Sequence, residues 1–272
     1  MNKLRKDAEK SPIFHVAIIS LMAIGLVSLP LDKLFALFIQ DGYLSLTLSS
    51  SVLRLVLSAI AIFLIYKYGY NKVFYSFNVK GLLLILPAFI VVIFNSPIIA
   101  LISKDVTFKQ SGFNVLFYAL YCLSIGIFEE TVFRGLVFPL CLRITKKSKL
   151  NLFFAVALSS GIFAILHLLN LIGGASVGAT FLQVGYSFLI GGLCAICLSV
   201  CKNIFIPIIL HALFDFGGLM LNNPYAIGVG NQWDTLTIIL TAVIGVLTCA
   251  YMVVLCIKTD VNKVSALYNQ DN

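Results

Sequence analysis

Charged residues are scarce in this sequence. Asp, Glu, Lys and Arg make up only 11% of the 272 residues, whereas 60% are apolar and the mean hydropathy is +1.04. A soluble globular domain is about 25% charged, so this shortage excludes a water-soluble domain, a disordered chain and a nucleic-acid-binding protein. The apolar runs are about twenty residues long, the length that a helix needs to cross a bilayer. The sequence therefore predicts an all-α polytopic membrane protein.

We expect about eight transmembrane helices around an intramembrane polar cavity, in a single transmembrane domain that covers residues 1–272. Pro87 and Pro97 are expected to kink or break the third span. No small-x-small cleavage site follows the apolar run Ile13–Leu29, so we interpret the first span as uncleaved. The predicted spans lie at roughly 13–38, 44–66, 82–102, 113–141, 150–168, 177–200, 204–221 and 235–257.

The basic residues predict the orientation of the chain. There are 19 Lys and Arg against 11 Asp and Glu, which gives a net charge of +8. Fourteen basic residues fall on the side of the two termini, and only Lys104 and Lys109 fall in loops on the other side. Because basic loops stay in the cytoplasm, we predict a multi-pass protein of the cell membrane with both termini cytoplasmic. The composition of this small chain favours a bacterial plasma membrane.

All seven cysteines lie in or beside predicted spans. Cys194, Cys197 and Cys201 are close in sequence, but the apolar run around them contains no histidine. Positions i and i+3 of a helix are also poorly placed for a disulfide. We interpret these cysteines as small packing residues.

Three charged residues interrupt the fourth span: Glu129, Glu130 and Arg134. Each costs about 2.5–3.5 kcal/mol near the centre of a membrane helix. Glu130 and Arg134 are four residues apart and can form an ion pair on one helix face. Glu129 points about 100° away and has no such local partner, so it is suited to accept a proton. The alternative is a static polar network between helices.

Three further ionisable residues lie in later spans, His167 in the fifth and His211 with Asp215 in the seventh. His211 and Asp215 are four residues apart, so Asp215 could orient the imidazole, both could bind a metal, or they could form a buried hydrogen bond. Taken with Glu129, the set suits activation of a water molecule and stabilisation of an oxyanion. No G-x-S-x-G motif indicates a serine nucleophile.

The expected depths of these residues in the membrane, measured along each helix from the basic residue at its cytoplasmic end, do not match. At about 1.5 Å per residue, Glu129 lies about 21 Å from Arg143, His167 about 27 Å from Lys149, and His211 only about 14 Å from Lys202. The groups converge only if helices tilt or the boundaries shift. One hypothesis is that the fifth span starts later, with 149–152 along the membrane interface.

These residues resemble three motifs of the CPBP family, the CAAX-protease and bacteriocin-processing family also called Abi. Glu129-Glu130-Thr131-Val132-Phe133-Arg134 matches E-E-x-x-x-R, Phe163-Ala164-Ile165-Leu166-His167 matches F-x-x-x-H, and His211-Ala212-Leu213-Phe214-Asp215 matches H-x-x-x-N/D. The motifs occur in order on three predicted spans, which indicates a catalytic core at 113–220. The resemblance implies an intramembrane endopeptidase related to the Ras-converting CAAX endoprotease.

The resemblance also implies roles for the residues. Glu129 and His167 would activate the water, and His211 and Asp215 would hold the oxyanion. The pair Glu130 and Arg134 would support the site structurally. Asp215 stands where the family also has Asn, and an ionised carboxylate cannot donate a hydrogen bond to an oxyanion. Asp215 could instead be protonated, orient His211 or bind a metal.

No cofactor is expected to be required. The alternative is a zinc ion held by His167, His211, Glu129 and Asp215. The expected partners are the lipid bilayer and a membrane-associated peptide or protein substrate, such as a peptide pheromone, a bacteriocin leader or a surface-protein anchor, and no nucleic acid.

Two other classes of function compete with an enzyme. One is a non-catalytic bacteriocin-immunity or membrane scaffold protein of the same family. The other is a proton-coupled transporter, since Glu and His relays mark such paths. The chain has no repeated halves, which disfavours the transporter.

Overall fold

The described part of the chain is almost entirely helical. A computed structural model describes residues 3–110, 112–146, 148 and 150–268. The α-helices are α1 (Lys3–Lys10), α2 (Pro12–Val27), α3 (Leu31–Phe35), α4 (Gly42–Tyr68), α5 (Lys72–Tyr75), α6 (Val79–Leu84), α7 (Leu86–Phe94), α8 (Ile98–Ile102), α9 (Phe113–Val132), α10 (Phe138–Ile144), α11 (Asn151–Leu166), α12 (Val177–Cys201), α13 (Phe205–Gly218), α14 (Thr235–Lys258) and α15 (Val261–Ser265). A π-helix covers Phe133–Val137, and 3₁₀ helices cover His167–Leu171 and Ala266–Tyr268.

Six helical segments of the described residues are long and apolar enough to cross a membrane. Some of them combine consecutive helices of the chain, such as α9, the π-helix and α10. This architecture confirms the predicted all-α polytopic membrane protein. The six segments are Pro12–Phe35, Gly42–Tyr68, Phe113–Ile144, Asn151–Leu171, Val177–Cys201 and Thr235–Lys258.

The other two predicted spans differ from single membrane-crossing helices. The span predicted at 82–102 is divided among α6, α7 and α8, with Pro87 in the first turn of α7 and Pro97 just before α8. Proline cannot donate the helical hydrogen bond, so the predicted break is present. The span predicted at 204–221 is the 14-residue helix α13, about 21 Å long and shorter than the apolar thickness of a bilayer.

The hypothesis of a later start for the fifth span is wrong. Helix α11 begins at Asn151, so Asn151 and Leu152 already belong to it. Lys149 lies outside the described residues.

Helix α9 lies between α4 and α13. Gly126 allows the close approach of α13, because a Cβ at this position would lie 2.7 Å from the Ile208 carbonyl oxygen and 3.1 Å from the Ala212 nitrogen. The approach places the charged end of α9 beside His211 and Asp215 of α13.

The bundle has two distinct ends. Strands β1 (Val106–Phe108) and β2 (Gly228–Gly230) pair antiparallel, with Val106 opposite Gly230, and we call this side the ribbon end. At the opposite side, the basic end, Glu9 of α1 contacts Arg5 at 2.7 Å and Arg143 of α10 at 2.5 Å. The N-terminal helix and the end of α10 therefore share one side, as the basic residues predicted.

The π-helix leaves one carbonyl group without a helical partner. The Phe138 amide donates to the Phe133 carbonyl instead of the Arg134 carbonyl. The next residue is Pro139, which has no N–H group. The hydroxyl of Tyr268 donates to the Arg134 carbonyl at 3.0 Å, and its ring packs edge-on against Tyr70 at 5.5 Å. The segment after α14 thus completes the hydrogen bonding of the π-helix.

Replacing Gly126 by alanine should destabilise the bundle. The added methyl group would overlap backbone atoms of α13, and such overpacking costs about 1–3 kcal/mol. Gly161 of α11 is the matched control, since a Cβ there meets nothing within 4 Å. Gly161→Ala should leave the unfolding temperature in detergent unchanged or higher, because alanine favours a helix. Equal effects of the two substitutions would contradict the close approach of α9 and α13.

Tyr268→Phe should also lower stability. It removes only the hydroxyl group, and a buried carbonyl without a partner costs about 1–3 kcal/mol. Tyr68→Phe is the control, because Tyr68 is also buried and its hydroxyl makes no hydrogen bond with the described residues. Denaturant unfolding in mixed micelles measures both free energies. A Tyr268→Phe protein as stable as Tyr68→Phe would show that the Arg134 carbonyl does not need this partner.

Candidate active site

A buried ion pair forms the base of the site. The Arg134 Nε atom lies 3.1 Å from Glu130 Oε2, and both side chains are almost fully buried. The angles of this contact are not those of a hydrogen bond, so it acts through charge. The guanidinium group also donates to the Gly191 carbonyl of α12 at 2.6 Å and lies 5.3 Å from the ring centre of Phe163 in α11. The pair predicted from sequence spacing therefore joins α9, α11 and α12.

The second oxygen of Glu130 holds His211. The Nδ1 atom of His211 lies 2.7 Å from Glu130 Oε1, and the histidine is nearly buried. A carboxylate only accepts hydrogen bonds, so Nδ1 carries the proton of this contact. Orientation of this imidazole by Asp215 was one of three readings of their spacing, and Glu130 is the closer carboxylate. The contact joins α9 and α13, so the spacing of residues within a single helix could not predict it.

The other nitrogen of His211 points toward two carboxylates. Its Nε2 atom lies 3.4 Å from Glu129 Oε2 and 3.7 Å from Asp215 Oδ2. Glu129 is 21% exposed and Asp215 16%, whereas Glu130 is fully buried. Glu129 and Asp215 are therefore the acidic groups that reach the open side of the site. Glu129, which has no partner on its own helix, finds one on α13.

His167 lies beside this group without touching it. It begins the 3₁₀ helix after α11, and its Nδ1 atom lies 3.0 Å from the Phe163 carbonyl oxygen. The Phe163 ring packs edge-on against both histidines, with centroid distances of 5.0 Å to His167 and 6.0 Å to His211. Within the described residues, His167 makes no hydrogen bond or ion pair with Glu129, His211 or Asp215. The structure thus brings Glu129 and His211 together despite the mismatch in depth seen in the sequence, and leaves His167 apart from them.

Two residues that the sequence did not assign to the site lie close to it. Tyr186 of α12 is 40% exposed, and its ring centre lies 6.2 Å from that of Phe214, the residue before Asp215. Cys194 of α12 has its sulfur within 4.8 Å of donor atoms of Glu130 and His211. Cys194 was interpreted as a packing residue, and only knowledge of how α12 packs against α9 reveals its position.

The two nitrogens of His211 have different surroundings for a metal ion. Zinc ligands bound at about 2.0–2.2 Å lie about 3.3 Å apart in a tetrahedral site. The 2.7 Å between Nδ1 and Glu130 is a hydrogen-bond distance, so a zinc ion does not fit between them without movement. At Nε2 the distances to Glu129 and Asp215 are 3.4 and 3.7 Å. Among the described residues, however, the group whose ligand atoms all lie within 4.8 Å of one another is Glu130, Cys194 and His211. The four predicted metal ligands are therefore not brought together as one set.

The comparisons with known proteins agree with the motifs. Residues 111–217 match a family model described as Type II CAAX prenyl endopeptidase Rce1-like. Searches of the curated proteins and of the solved structures found no match. The matched segment contains Glu129, Glu130, Arg134, the two site histidines and Asp215, so the family match and the contacts described above concern the same part of the bundle. Residues 111–217 are therefore similar to the CAAX proteases of the CPBP family, as the three motifs predicted.

Proposed function

We propose that this protein is an intramembrane endopeptidase that hydrolyses a peptide bond in a membrane-associated peptide or protein. One observation carries the proposal. The partly exposed carboxylate of Glu129 lies 3.4 Å from the Nε2 atom of a histidine whose Nδ1 atom is fixed by a buried carboxylate. A carboxylate beside an oriented imidazole, at the edge of a low-dielectric region, suits proton transfer to and from water. The family match to a peptidase supports the same reaction.

In the proposed reaction, Glu129 takes a proton from a water molecule, and the water oxygen attacks the carbonyl carbon of the scissile bond. Glu129 then gives this proton to the amide nitrogen as the C–N bond breaks. His167 lies on the other side of Phe163 and is assigned to the same water molecule. Its Nδ1 atom donates to the Phe163 carbonyl, so Nε2 keeps a lone pair that can accept a hydrogen bond from the water.

His211 is assigned to the oxyanion in this scheme. Glu130 fixes its Nδ1 atom, and a proton on Nε2 can be donated to the negative oxygen of the tetrahedral intermediate. Asp215 is assigned to hold the Nε2 side of His211, because an ionised carboxylate would repel an oxyanion. Arg134 is assigned to hold Glu130 in place through their buried ion pair.

We favour a mechanism without a metal. Should zinc bind at the Nε2 atom of His211, Glu129 and Asp215 would have to move toward each other to hold it, and it would lower the pKa of a bound water. Glu129 has a role as general base in either case. We favour the mechanism without a metal because each acidic group of the site then has a role that does not require a bound ion.

The proposed substrate lies in the membrane or at its surface, in keeping with the family. The family description names prenylated CAAX peptides. A bacterial chain would more readily meet a peptide pheromone, a bacteriocin leader or a surface-protein anchor. We also propose that both termini face the cytoplasm, because the basic end carries α1, the end of α10 and α15.

Glu129→Gln should abolish cleavage while the protein still accumulates. An amide cannot take the proton of the water, and loss of a general base lowers the rate by about 10²–10⁴-fold. The assay uses the purified full chain in nanodiscs with a farnesylated CAAX peptide and a set of bacteriocin leader peptides, and products are identified by mass spectrometry. Glu9→Gln at the basic end makes the same chemical change away from the site and should keep activity.

Two results would contradict this assignment. Cleavage that persists in Glu129→Gln would remove Glu129 from the mechanism. A wild-type protein that cuts none of these peptides, and whose cellular phenotype survives both Glu129→Gln and His167→Ala, would favour the immunity or scaffold function.

Removal of metal ions should leave activity unchanged. The wild-type protein is treated with 1,10-phenanthroline, and cleavage is compared before and after addition of zinc. A known zinc protease in the same nanodisc buffer serves as the control and should lose its activity. Loss of cleavage that zinc restores would instead place an ion at Glu129, His211 and Asp215.

A further inference from the structure

Helix α13 ends inside the bundle, one turn after the candidate active site. It has 14 residues and is about 21 Å long, so at least one of its ends lies within an apolar layer about 30 Å thick. A helix leaves the carbonyl groups of its last turn without amide partners, and the bilayer core supplies no water to bind them. The Leu219 amide binds the Asp215 carbonyl at 2.8 Å. The carbonyls of residues 216–218 need other donors.

Two buried side chains bind these three carbonyls. Tyr118 of α9 donates its hydroxyl group to the Phe216 carbonyl at 2.6 Å. Gln232, in the loop before α14, donates to the carbonyls of Gly217 and Gly218 at 3.2 and 3.0 Å. Both donors are almost fully buried. Side chains from two other parts of the chain therefore complete the hydrogen bonding at the end of α13.

The break in the third span supplies one more donor. Asn95 lies in this break, between α7 and α8, and its Nδ2 atom donates to the Phe214 carbonyl at 2.8 Å. Gly218 allows the close approach, because a Cβ at this position would lie 2.6 Å from the same Nδ2 atom. The break is thus packed directly against the last turn of α13.

The bound carbonyls are next to Asp215 in the sequence. Phe214 precedes Asp215 and Phe216 follows it, so the backbone on both sides of Asp215 is held by other parts of the bundle. The Asp215 Oδ2 atom lies 3.7 Å from the Nε2 atom of His211, beyond hydrogen-bond distance. No direct hydrogen bond joins these two groups, so their separation depends on where the last turn is held.

Helix α9 holds α13 at two points. Near its end, Glu129 lies 3.4 Å from the Nε2 atom of His211. Eleven residues earlier, or about three turns, Tyr118 binds the turn that contains Asp215, and its ring packs against that of Phe216 at a centroid distance of 5.1 Å. Because eleven residues bring the helix back to nearly the same face, one side of α9 contacts α13 at both points.

We propose that three side chains, those of Asn95, Tyr118 and Gln232, are positioning residues of the candidate active site. By holding the last turn of α13, they keep the Asp215 carboxylate beside the Nε2 atom of His211. The inference rests on the proposed endopeptidase function and gives the three side chains no chemical step of their own. Two of them lie outside residues 111–217, the segment matched by the family model.

Tyr118→Phe should lower kcat. Without the hydroxyl group the Phe216 carbonyl loses its donor and the last turn can shift, and a misplacement of about 1 Å costs up to about 100-fold in rate. For the folded protein in nanodiscs, with a peptide that the wild type cuts, we expect kcat to fall at least about tenfold and KM to change less than about twofold. Gln232→Met frees two carbonyls with little change in side-chain size and should act in the same direction.

Tyr43→Phe is the matched control. Tyr43 also donates its hydroxyl group to a carbonyl, that of Tyr225 at 3.0 Å, but neither residue belongs to α13. The substitution removes the same kind of hydrogen bond, so it should lower the unfolding temperature while kcat and KM stay unchanged. A merely structural role of Tyr118 would make the two phenylalanine variants alike in kcat.

A second measurement does not depend on cleavage. The chain has three histidines, so isotopic labelling of the histidine nitrogens gives few NMR signals, and His211→Gln identifies those of this ring. Tyr118→Phe should shift the Nε2 signal of His211, because the carboxylate that faces it moves, whereas Tyr43→Phe should not. In a chain that already carries Asp215→Ala, Tyr118→Phe should leave this signal unchanged, as expected when one residue acts through another.

Three results would overturn the inference. The first is an equal kcat for Tyr118→Phe and Tyr43→Phe. The second is an unchanged Nε2 signal in Tyr118→Phe. The third is a shift of the same size with and without Asp215→Ala, since Tyr118 would then act on His211 by another route. If Tyr118→Phe does not fold, Gln232→Met decides by the same measurements.

The two measurements separate this inference from the proposed function. If the protein cuts none of the peptides, a signal shift that depends on both Tyr118 and Asp215 rejects the proposed function and keeps the positioning role. If the protein cuts them and the signal does not respond, the endopeptidase assignment stands and the positioning role is rejected.

Discussion

The ion pair between Glu130 and Arg134 is the contact on which the arrangement of the site depends. Both charges are buried, and each would be costly alone in a low-dielectric region. Their geometry is fixed by more than their mutual attraction. Glu130 is held from the other side by His211, and Arg134 by the Gly191 carbonyl and the ring of Phe163. Four helices, α9, α11, α12 and α13, are therefore connected through two side chains.

The same contact sets the chemistry at the open side. Because Glu130 accepts the hydrogen bond of Nδ1, the Nε2 atom of His211 faces Glu129 and Asp215 and cannot rotate away without breaking a buried hydrogen bond. Glu129 remains partly exposed, as its proposed role of general base requires. Two adjacent glutamates thus have opposite environments, one fully buried and paired, the other at the edge of the cavity. The rotation of about 100° between adjacent helix positions produces this division.

Local sequence patterns predicted the features that depend on one helix. The apolar runs indicated the all-α membrane architecture, the spacing of Glu130 and Arg134 indicated their pairing, and Pro87 and Pro97 indicated the break in the third span. Contacts between helices could not be predicted from these local patterns. The contact of Glu130 with His211 and the position of Cys194 depend on how α9, α12 and α13 pack. Apolar length alone also could not distinguish the short helix α13 from a full span.

The bond from Tyr268 to the Arg134 carbonyl has a consequence for the order of assembly. Tyr268 follows α14 in the chain, so every membrane helix is synthesised before the residue that completes the π-helix. A newly inserted bundle must pass through a stage in which its helices are present while the backbone at Arg134 still lacks a hydrogen-bond donor. Maturation of the site is then one of the last events of biogenesis, and the proposed hydrolytic centre stays incomplete while unfolded segments of its own chain are nearby.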